Sequence, residues 1–506
     1  MHYERLVLVI LSLMAVVAGT YLSFRSGNYG YIFAFASLPF AVLLIGKTRL
    51  LFILVLLSFN SGLRIPFLPG QLELFHVLAL ALGGLLFLSR IINKEPNYFP
   101  PTLRYSIIGL ALILIFTMWI RGTGFRMLGD YKWGGVRYLT LFITLFMMFH
   151  SCAIRLTTKQ WVFAIIGMQL MAFLPFFAEL LFLLSKGTIV GHYYFFKFQG
   201  STGFAFDAFA NEQQHGRFQQ GGAAAVGVLI LAFIITPFKG KGRLIYLACG
   251  ILAFLLIGLS GHRMGYVLNT MFILLYGFIA SRGARLPFLV IAGITGIILV
   301  LSVIGFGHHL PYSYQRALSW IPFTELDRVA EIDAFSTTLW RIQVWSDALH
   351  EIPDYLWIGK GFAYDVQTLD ALRLNPGDYL RLWAPVSVSY HSGPLSFIIG
   401  LGLLGLIVGS ILLIYPAVRH LKLITYDWEN RWLYRLHLVI TVRYVTMVIS
   451  YYLIYGDVFI SVPKLMLHIA ILEGLLLTDK ELKKQKTQVE EDPEAGKPTQ
   501  IKHLRA

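Results

Sequence analysis

Charged residues are scarce in this sequence, and that scarcity excludes a soluble globular protein. Only 14% of the 506 residues are charged, whereas 57% are hydrophobic, and the mean hydropathy is +0.67. Soluble domains carry about one-quarter charged residues. Apolar runs of about 17 to 25 residues, each long enough to cross a hydrocarbon core as a helix, recur along nearly the whole chain. The composition therefore predicts an all-α polytopic membrane protein.

Cysteines and paired carboxylates are also scarce, and this disfavours several kinds of site. Cys152 and Cys249 both fall at or inside apolar runs, so neither a disulfide framework nor a metal site has support. The first predicted outward loop, residues 25–30, lacks the acidic residue that metal-dependent membrane glycosyltransferases commonly keep there. Loop acids such as Asp365 and Asp370 occur in no context that selects the carboxylate pair of a retaining or hydrolytic glycosidase. We expect no metal and no cofactor.

Basic residues in the short connections orient the predicted spans. They gather in every second connection, which the positive-inside tendency assigns to the cytoplasm. The net charge of +15 thus reflects topology and contact with anionic lipid, not nucleic acid binding. We interpret the first run as a retained helix, not a signal peptide, and an even number of spans places both termini in the cytoplasm. Twelve to fourteen crossings are expected, near residues 5–24, 30–46, 49–62, 72–90, 105–121, 135–152, 160–185, 220–237, 243–260, 264–281, 285–306, 391–416, 433–455 and 457–478.

Two outward loops divide the predicted spans into groups. Residues 1–185 form the N-terminal group, 186–220 an outward loop, 221–306 the central group, 307–390 a large outward loop, 391–478 the C-terminal group and 479–506 a disordered cytoplasmic tail. Loops this long are usually functional or disordered. The large loop contains tryptophans that give it material to pack, and residues 336–352 have the apolar spacing of an amphipathic helix. We expect a structured loop over the outer membrane surface.

Arginines are concentrated on the outward side, where the positive-inside tendency does not predict them. Arg263 lies in a connection of a few residues, Arg341 lies on the amphipathic loop element, and Arg217 precedes a span that begins with small residues. The planar donor fork of arginine suits phosphate oxygens, so a diphosphate headgroup explains the concentration. Salt bridges to loop acids are the alternative for Arg341, and a snorkelling interfacial anchor is the alternative for Arg263.

A titratable histidine stands where the large loop returns to the membrane. His391 and Ser392 are followed by nine residues and then by Gly402-x-x-Gly405. A structural, hydrogen-bonded histidine is the alternative interpretation, and the glycines alone indicate only close helix packing. A neutral imidazole with a pKa near 6.5 also suits a general base.

These elements together resemble the O-antigen ligase and polymerase superfamily of bacterial inner-membrane proteins. In that family a large periplasmic loop precedes a His-[Asn/Ser/Gln], nine-residue, Gly-x-x-Gly motif, and a Ser-x-x-Arg motif similar to residues 260–263 stands upstream. The resemblance covers roughly residues 214–405 and is fairly specific for the superfamily, but ligases and polymerases share it. The matching loop positions are Arg341, Trp345, Ala348, Leu349, Pro353 and Gly359-Lys360-Gly361.

The resemblance implies a glycosyltransferase that moves a glycan from undecaprenyl diphosphate to an acceptor hydroxyl with inversion. It implies an inner-membrane location, a site facing the periplasm, and a lipid A core or glycan acceptor. Arg263 and Arg341 become the diphosphate clamp and His391 the general base, while Ser392 would cap the helix or orient its neighbour. Arg217 is a looser match for glycan or diphosphate contact, and His262 falls inside the Ser-x-x-Arg motif as a substrate-binding candidate.

One departure and two alternatives accompany the resemblance. Gly393 and Pro394 follow the histidine motif, so the geometry around His391 is less defined than in the family pattern. A ligase is slightly favoured because the ordered motif set follows that version closely, and an O-antigen or exopolysaccharide polymerase is the alternative. A lipid-linked oligosaccharide flippase is the competing hypothesis from another class, although a carrier has no evident need for an eighty-residue structured loop.

Overall fold

The computed structural model describes most of the chain after its first predicted spans. The described residues are 47–63, 73–93, 98–125, 132–151, 154–184, 218, 220–236, 242–281, 283–365, 367 and 384–491. Over these residues the fold consists of α-helices joined by turns and short 3₁₀ segments. The helices are α1 Thr48–Phe59, α2 Leu74–Asn93, α3 Pro101–Arg121, α4 Gly135–Ser151, α5 Thr158–Met171, α6 Phe173–Leu184, α7 Gly221–Ile235, α8 Gly242–Ser260, α9 Arg263–Ala280, α10 Arg285–Phe306, α11 Tyr312–Leu318, α12 Arg328–Tyr355, α13 Gly393–Lys422, α14 Arg431–Leu453 and α15 Val458–Glu491.

The predicted membrane spans are present as helices. Eight helices of the described part are long and apolar enough to cross a membrane, and four shorter apolar helices accompany them. Together they coincide with the twelve crossings predicted between residues 49 and 478, while the two predicted before residue 47 lie outside the described residues. Residues 160–185, expected as one crossing, are divided into α5 and α6 at Ala172. The prediction of an all-α polytopic membrane protein is confirmed.

Helices α14 and α15 form the centre of the bundle, and α10 lies at its margin. In α14 and α15, 72% and 78% of the most apolar window is buried by other helices, against 6% in α10. Helices do not gain a hydrophobic driving force by leaving lipid for one another, so close packing through small residues holds such bundles together. Gly221 provides one example, because a Cβ there would stand 2.3 Å from the carbonyl oxygen of Leu256. The close helix contact predicted at the start of this span is confirmed.

The described part of the large loop includes the helices α11 and α12. Helix α12 includes the predicted amphipathic segment and extends beyond it at both ends. Its buried face consists of small side chains, including Ala330, Ala334 and Ala348, whereas Leu339 and Ile342 are exposed. A helix with an exposed apolar face and a buried opposite face suits the boundary between lipid and water.

The C-terminal prediction needs one correction. The disordered tail expected from residue 479 is wrong for residues 479–491, because α15 continues to Glu491. Asp479 is buried and accepts hydrogen bonds from the backbone N–H groups of Glu429 (3.2 Å) and Asn430 (3.1 Å). These bonds fix the connection between α13 and α14 to the last helix. Residues 492–506 lie outside the described part.

Candidate active site

Helix α12 lies across one end of the bundle, where α9, α13 and α15 begin; this end is called the site end below. Arg263, the first residue of α9, donates from Nη2 to the carbonyl oxygen of Ala334 and to the hydroxyl of Thr337, both at 2.8 Å. Trp345 of the same helix donates from its indole nitrogen to the carbonyl oxygen of Tyr390 at 2.7 Å. One loop helix therefore holds both the Ser-x-x-Arg and the histidine motif.

Three arginines at the site end act electrostatically on one another. The positive charges of Arg316 and Arg341 both repel the positive charge of Arg263. Arg316 forms an ion pair with Asp333 and donates from Nη1 to the carbonyl oxygen of Gly261 at 2.8 Å. The ordinary salt-bridge interpretation thus holds for Arg316, which stabilises the turn that carries Arg263.

Arg341 has no such partner among the described residues. Its Nε is buried without a hydrogen bond, although an unpaired buried donor costs about 1–3 kcal/mol or more when the group is charged. Burial lowers the pKa of Arg341, as does the charge of Arg316, while Tyr455 opposes the shift. Because a guanidinium stays protonated in proteins, the side chain offers a permanent, partly buried positive charge. An anionic ligand at this position would satisfy it.

His391 is held in a backbone conformation that side chains rarely adopt. Its φ is +53°, and a non-glycine residue in this region stores of order 1–3 kcal/mol of strain, which recurs at functional sites. Two contacts maintain it. Its own N–H donates to Oδ1 of Asp457 at 3.2 Å, and the preceding Tyr390 is fully buried with its hydroxyl donating to Glu351 at 3.0 Å.

The imidazole of His391 faces the carboxylate of Asp457. Nδ1 lies 3.7 Å from Oδ2, too far for a hydrogen bond, and this nitrogen is buried without a partner. The ring packs edge-on against Trp340, with ring centroids 5.1 Å apart. The ring of Tyr455 packs against it in a tilted arrangement, with centroids 4.9 Å apart. A quarter of the side chain remains exposed. A protonated Nδ1 directed at the carboxylate leaves Nε2 with the lone pair that can accept a proton.

The protonation preferences of this pair follow from its burial. Burial lowers the pKa of His391, the charge of Arg341 lowers it further, and Asp457 opposes the shift. We conclude that the imidazole is neutral at pH 7. Burial also raises the pKa of Asp457, while His391 and hydrogen bonds from two serines oppose that change. The serine hydroxyls donate to Oδ2 from Ser389 (2.9 Å) and to Oδ1 from Ser396 (3.3 Å).

Asp457 is the site residue that sequence reasoning missed. It lies between α14 and α15, beyond the motifs that drew attention to residues 260–405, and its side chain is completely buried. One signal was available. A carboxylate in the short connection between the last two predicted spans, on the same side as His391, has little surface loop in which to be solvated.

The remaining predicted site residues have different outcomes. Ser392 is the N-cap residue of α13, but its side chain makes no capping hydrogen bond, so the capping alternative is wrong and the orienting alternative stays a prediction. The backbone N–H of His391 is bound by Asp457. His262 is the N-cap residue of α9, and its N–H donates to the Ser260 hydroxyl at 3.3 Å. Arg217 lies outside the described residues.

The Gly-x-x-Gly motif accommodates a piece of the large loop inside α13. Gly402 has φ 76° and ψ 179°, which breaks the helix there. Residues 356–361 enter the break: the N–H of Leu403 donates to the carbonyl of Leu356 (2.7 Å), and the N–H of Gly361 donates to the carbonyl of Gly400 (3.0 Å). A Cβ on Gly359 would stand 2.2 Å from the carbonyl oxygen of Gly400. The expected close packing is therefore between a loop and a helix.

An apolar groove of about 550 Å³ runs along α9, starting one helical turn after Arg263. Tyr266, Met271 and Phe278 line it from α9, and Trp320 and Ile449 line it from the loop and from α14. Its lining is predominantly apolar, and along α9 it begins close to Arg263.

Comparison with known families identifies the segment that carries most of these residues. Residues 247–408 match the O-antigen ligase family. This match supports the resemblance to the O-antigen ligase and polymerase superfamily, and it suggests a glycosyltransferase-type enzyme. The matched segment contains Arg263, Arg341, His391 and Gly402, and it ends before Asp457. A comparison with curated proteins finds no match.

Proposed function

We propose that this protein is a metal-independent, inverting glycosyltransferase of the O-antigen ligase type. It would move a glycan from undecaprenyl diphosphate to an acceptor sugar hydroxyl at the periplasmic face of the bacterial inner membrane. The observation that carries the proposal is the His391–Asp457 pair beside Arg341, whose buried Nε has no hydrogen-bond partner among the described residues. The match to the O-antigen ligase family supports a lipid-linked glycan as the substrate class.

In this mechanism, the arginines stabilise the diphosphate as it leaves the sugar. As the glycosidic C1–O bond breaks, the diphosphate leaves with the electron pair and gains negative charge. Fixed, dehydrated cations stabilise such charge better than solvated ones, because they do not reorganise during the reaction. Arg341 offers an unpaired Nε, and Arg263 is fixed by two hydrogen bonds to α12. Arg316 supports the pair by holding the backbone at Gly261.

His391 accounts for activation of the acceptor. The acceptor oxygen attacks C1 from the face opposite the diphosphate, its O–H bond breaks, and the proton passes to Nε2 of the neutral imidazole. Asp457 stabilises the imidazolium that forms and holds Nδ1 toward itself, as carboxylates do in other histidine-based sites. The apolar groove along α9 would take the first part of the prenyl chain.

A transfer assay with a histidine pair tests the proposal. Purified protein is given lipid-diphosphate-linked glycan and acceptor, and both transfer and donor binding are measured. His391→Ala should reduce transfer by about 10²- to 10⁴-fold, the usual contribution of a general base, and leave donor binding nearly intact. His350→Ala is the matched control, since His350 is an exposed histidine of the same loop. Wild-type turnover in His391→Ala would remove His391 from the mechanism.

Two other functions are separated by further measurements. A polymerase of the same superfamily uses another lipid-linked repeat unit as acceptor, so a deletion strain would display single repeat units. A ligase deletion would instead leave core lipid without O-antigen and polymer on its carrier. Movement of lipid-linked glycan across a sealed bilayer, without transfer, would reject the enzyme in favour of a flippase.

A further inference from the structure

Asp457 is a buried carboxylate whose contacts are neutral groups. Its side chain is completely buried, and an ionised carboxylate is costly to bury without a compensating cation. The imidazole of His391 is neutral at pH 7, and so are the hydroxyls of Tyr451 and Tyr455, on which the charge of Asp457 also acts. The hydrogen bonds that the carboxylate accepts come from two serine hydroxyls and one backbone N–H group. A compensating cation has to come from another element of the bundle.

Arg137, the third residue of α4, is a cation that acts on Asp457. The positive charge of its guanidinium and the negative charge of the carboxylate attract one another. The guanidinium carbon lies 5.0 Å from the ring centroid of Phe459, which follows Asp457 by two residues along the chain. Arg137 therefore brings to the start of α15 the positive charge that the contacts of Asp457 lack. It lies outside residues 247–408, the segment that matches the O-antigen ligase family.

Aromatic rings and the large loop hold this guanidinium in place. Its carbon atom lies 5.4 Å from the ring centroid of Tyr364, in addition to the contact with Phe459. Its Nη1 donates to the carbonyl oxygen of Val386 at 3.4 Å. Ring faces attract cations, so the two rings favour a guanidinium in this position. Because the contacts come from the large loop and from α15, Arg137 connects both of them to α4.

The backbone around Arg137 is fixed to the same part of the large loop. Trp133 and Tyr364 exchange two backbone hydrogen bonds, at 2.8 and 2.9 Å. The hydroxyl of Tyr138 accepts a hydrogen bond from the N–H of Phe362 at 2.9 Å. The position of the guanidinium is thus determined by contacts within the protein on both sides of Arg137 in the sequence.

We propose that Arg137 is a positioning residue of the active site, whose charge keeps Asp457 ionised so that the carboxylate can orient His391 and stabilise the imidazolium. The inference rests on the proposed general-base role of His391 and adds a third member to the His391–Asp457 pair. A nearby opposite charge lowers the pKa of a carboxyl by about 1–3 units. Arg137 supplies that charge while the imidazole is neutral, before the acceptor proton arrives. Arg263 and Arg341 act on the leaving diphosphate instead.

The pH profile of transfer is the first test. Arg137→Gln removes the charge, so the pKa of Asp457 should rise and the carboxylate should become protonated at higher pH than in the wild type. We expect the acid limb to move up by about one pH unit or more, a direction opposite to the one that loss of the carboxylate itself should give. Arg137→Lys retains a charge and should leave the acid limb near its wild-type position. Arg328→Gln is the matched control, because Arg328 is an exposed arginine at the start of α12.

A double variant tests whether Arg137 acts through Asp457. Arg137→Gln alone should lower kcat at pH 6 about tenfold, since one pH unit is a tenfold change in the ratio of ionised to protonated carboxyl. In an Asp457→Asn background no carboxylate is left to keep ionised, so the further loss should be less than about twofold. Equal losses in the two backgrounds would overturn the proposal. So would a raised KM for donor or acceptor with an unmoved acid limb, which would assign Arg137 to substrate binding.

Infrared difference spectra measure the protonation of Asp457 without transfer, in the full-length protein in nanodiscs. The C=O stretch of a protonated carboxyl that Asp457→Asn lacks is assigned to Asp457 and followed against pH. It should appear at higher pH in Arg137→Gln than in the wild type, and the same titration in both would overturn the proposal. If Arg137→Gln fails to fold, Arg137→Lys decides, because loss of transfer with an unmoved acid limb would reject the electrostatic role. Wild-type transfer by His391→Ala would reject the proposed function itself, while the infrared titration still reports on Arg137 and Asp457.

Discussion

The indole nitrogen of Trp345 donates a 2.7 Å hydrogen bond to the carbonyl oxygen of Tyr390, the residue immediately before His391. Tyr390 is fully buried, so this carbonyl has no access to water. The tryptophan of the loop motif thus fixes the backbone that presents the imidazole. Its role is positioning, since it touches His391 only through the neighbouring residue.

Replacing this donor should affect turnover more than donor binding. Trp345→Phe leaves the buried carbonyl unsatisfied, which costs about 1–3 kcal/mol of stability. We expect a lower thermal midpoint and a lower kcat, with donor KM preserved. Trp357→Phe is the control, because Trp357 is 77% exposed. Equal effects of the two substitutions on kcat would contradict the positioning role.

The pH profile of transfer should reveal the lowered pKa of His391. Because the folded pKa is depressed by burial, the imidazole stays neutral, and active as a base, below the ordinary value of 6.5. Activity should therefore persist as pH falls through 6.5 and be lost only below it. An acid limb at or above 6.5 would contradict this assignment.

Asp457→Asn should change the pH profile of transfer in a direction that tests whether Asp457 acts on the pKa of His391. The carboxylate raises the pKa of His391 against the effect of burial, so its removal should move the acid limb to still lower pH. The maximal transfer rate, at the plateau of the pH profile, should fall about 10²-fold or more, because the imidazolium loses its stabilising carboxylate. Thermal unfolding of the variant checks that the buried asparagine is tolerated. A fall in plateau with an unmoved acid limb would indicate a structural effect alone.

Charge alone should not replace the guanidinium at position 263. Arg263→Lys retains the positive charge but loses the planar guanidinium, whose Nη2 donates to Ala334 and Thr337 at 2.8 Å while its other donors stay available for a diphosphate. We expect a donor kcat/KM lowered by about tenfold, measured in the transfer assay. Arg328→Lys, at an exposed position at the start of α12, is the control. Equal donor use in both variants would return Arg263 to the role of an interfacial anchor.

The break in α13 should be intolerant of any side chain at Gly402. A Cβ there would stand 2.6 Å from the carbonyl oxygen of Trp357, and the φ of 76° is itself unfavourable for alanine. Gly402→Ala should cost about 1–3 kcal/mol, read as a lower thermal midpoint with loss of activity. Gly293→Ala in α10 should be neutral or slightly stabilising, because no other atom lies within 4 Å of its added Cβ. A neutral Gly402→Ala would show that the loop does not need the break.

Sequence patterns predicted the helices well because a membrane-spanning helix needs an apolar run long enough to cross the hydrocarbon core. The crossings near residues 264–281 and 433–455 agree with α9 and α14 to within two residues at each end. Patterns also selected Arg263, Arg341 and His391, since cations and an imidazole at the outward ends of spans are unusual. Their joint attachment to α12 depends on a fold that no local pattern encodes.

What sequence reasoning missed depends on contacts between distant segments. Asp457 joins His391 from 66 positions away along the chain, and its place in a short connection between two spans marks it as unusual without identifying its partner. Ser392 sits where a cap belongs, yet its side chain makes no capping bond. The polar end of α15 appeared disordered because its composition is charged, whereas the helix continues to Glu491 and Asp479 is bonded to the turn before α14.

Helix α12 carries Arg341, binds Arg263 through Ala334, and fixes the residue before His391 through Trp345. These attachments all belong to one continuous rod outside the spans. In the proposed mechanism, the leaving-group contacts and the proton acceptor are therefore attached to the same helix. A tilt of the membrane helices that moved α12 would displace both groups together, and would change the distance between them less than if each were attached to a different helix.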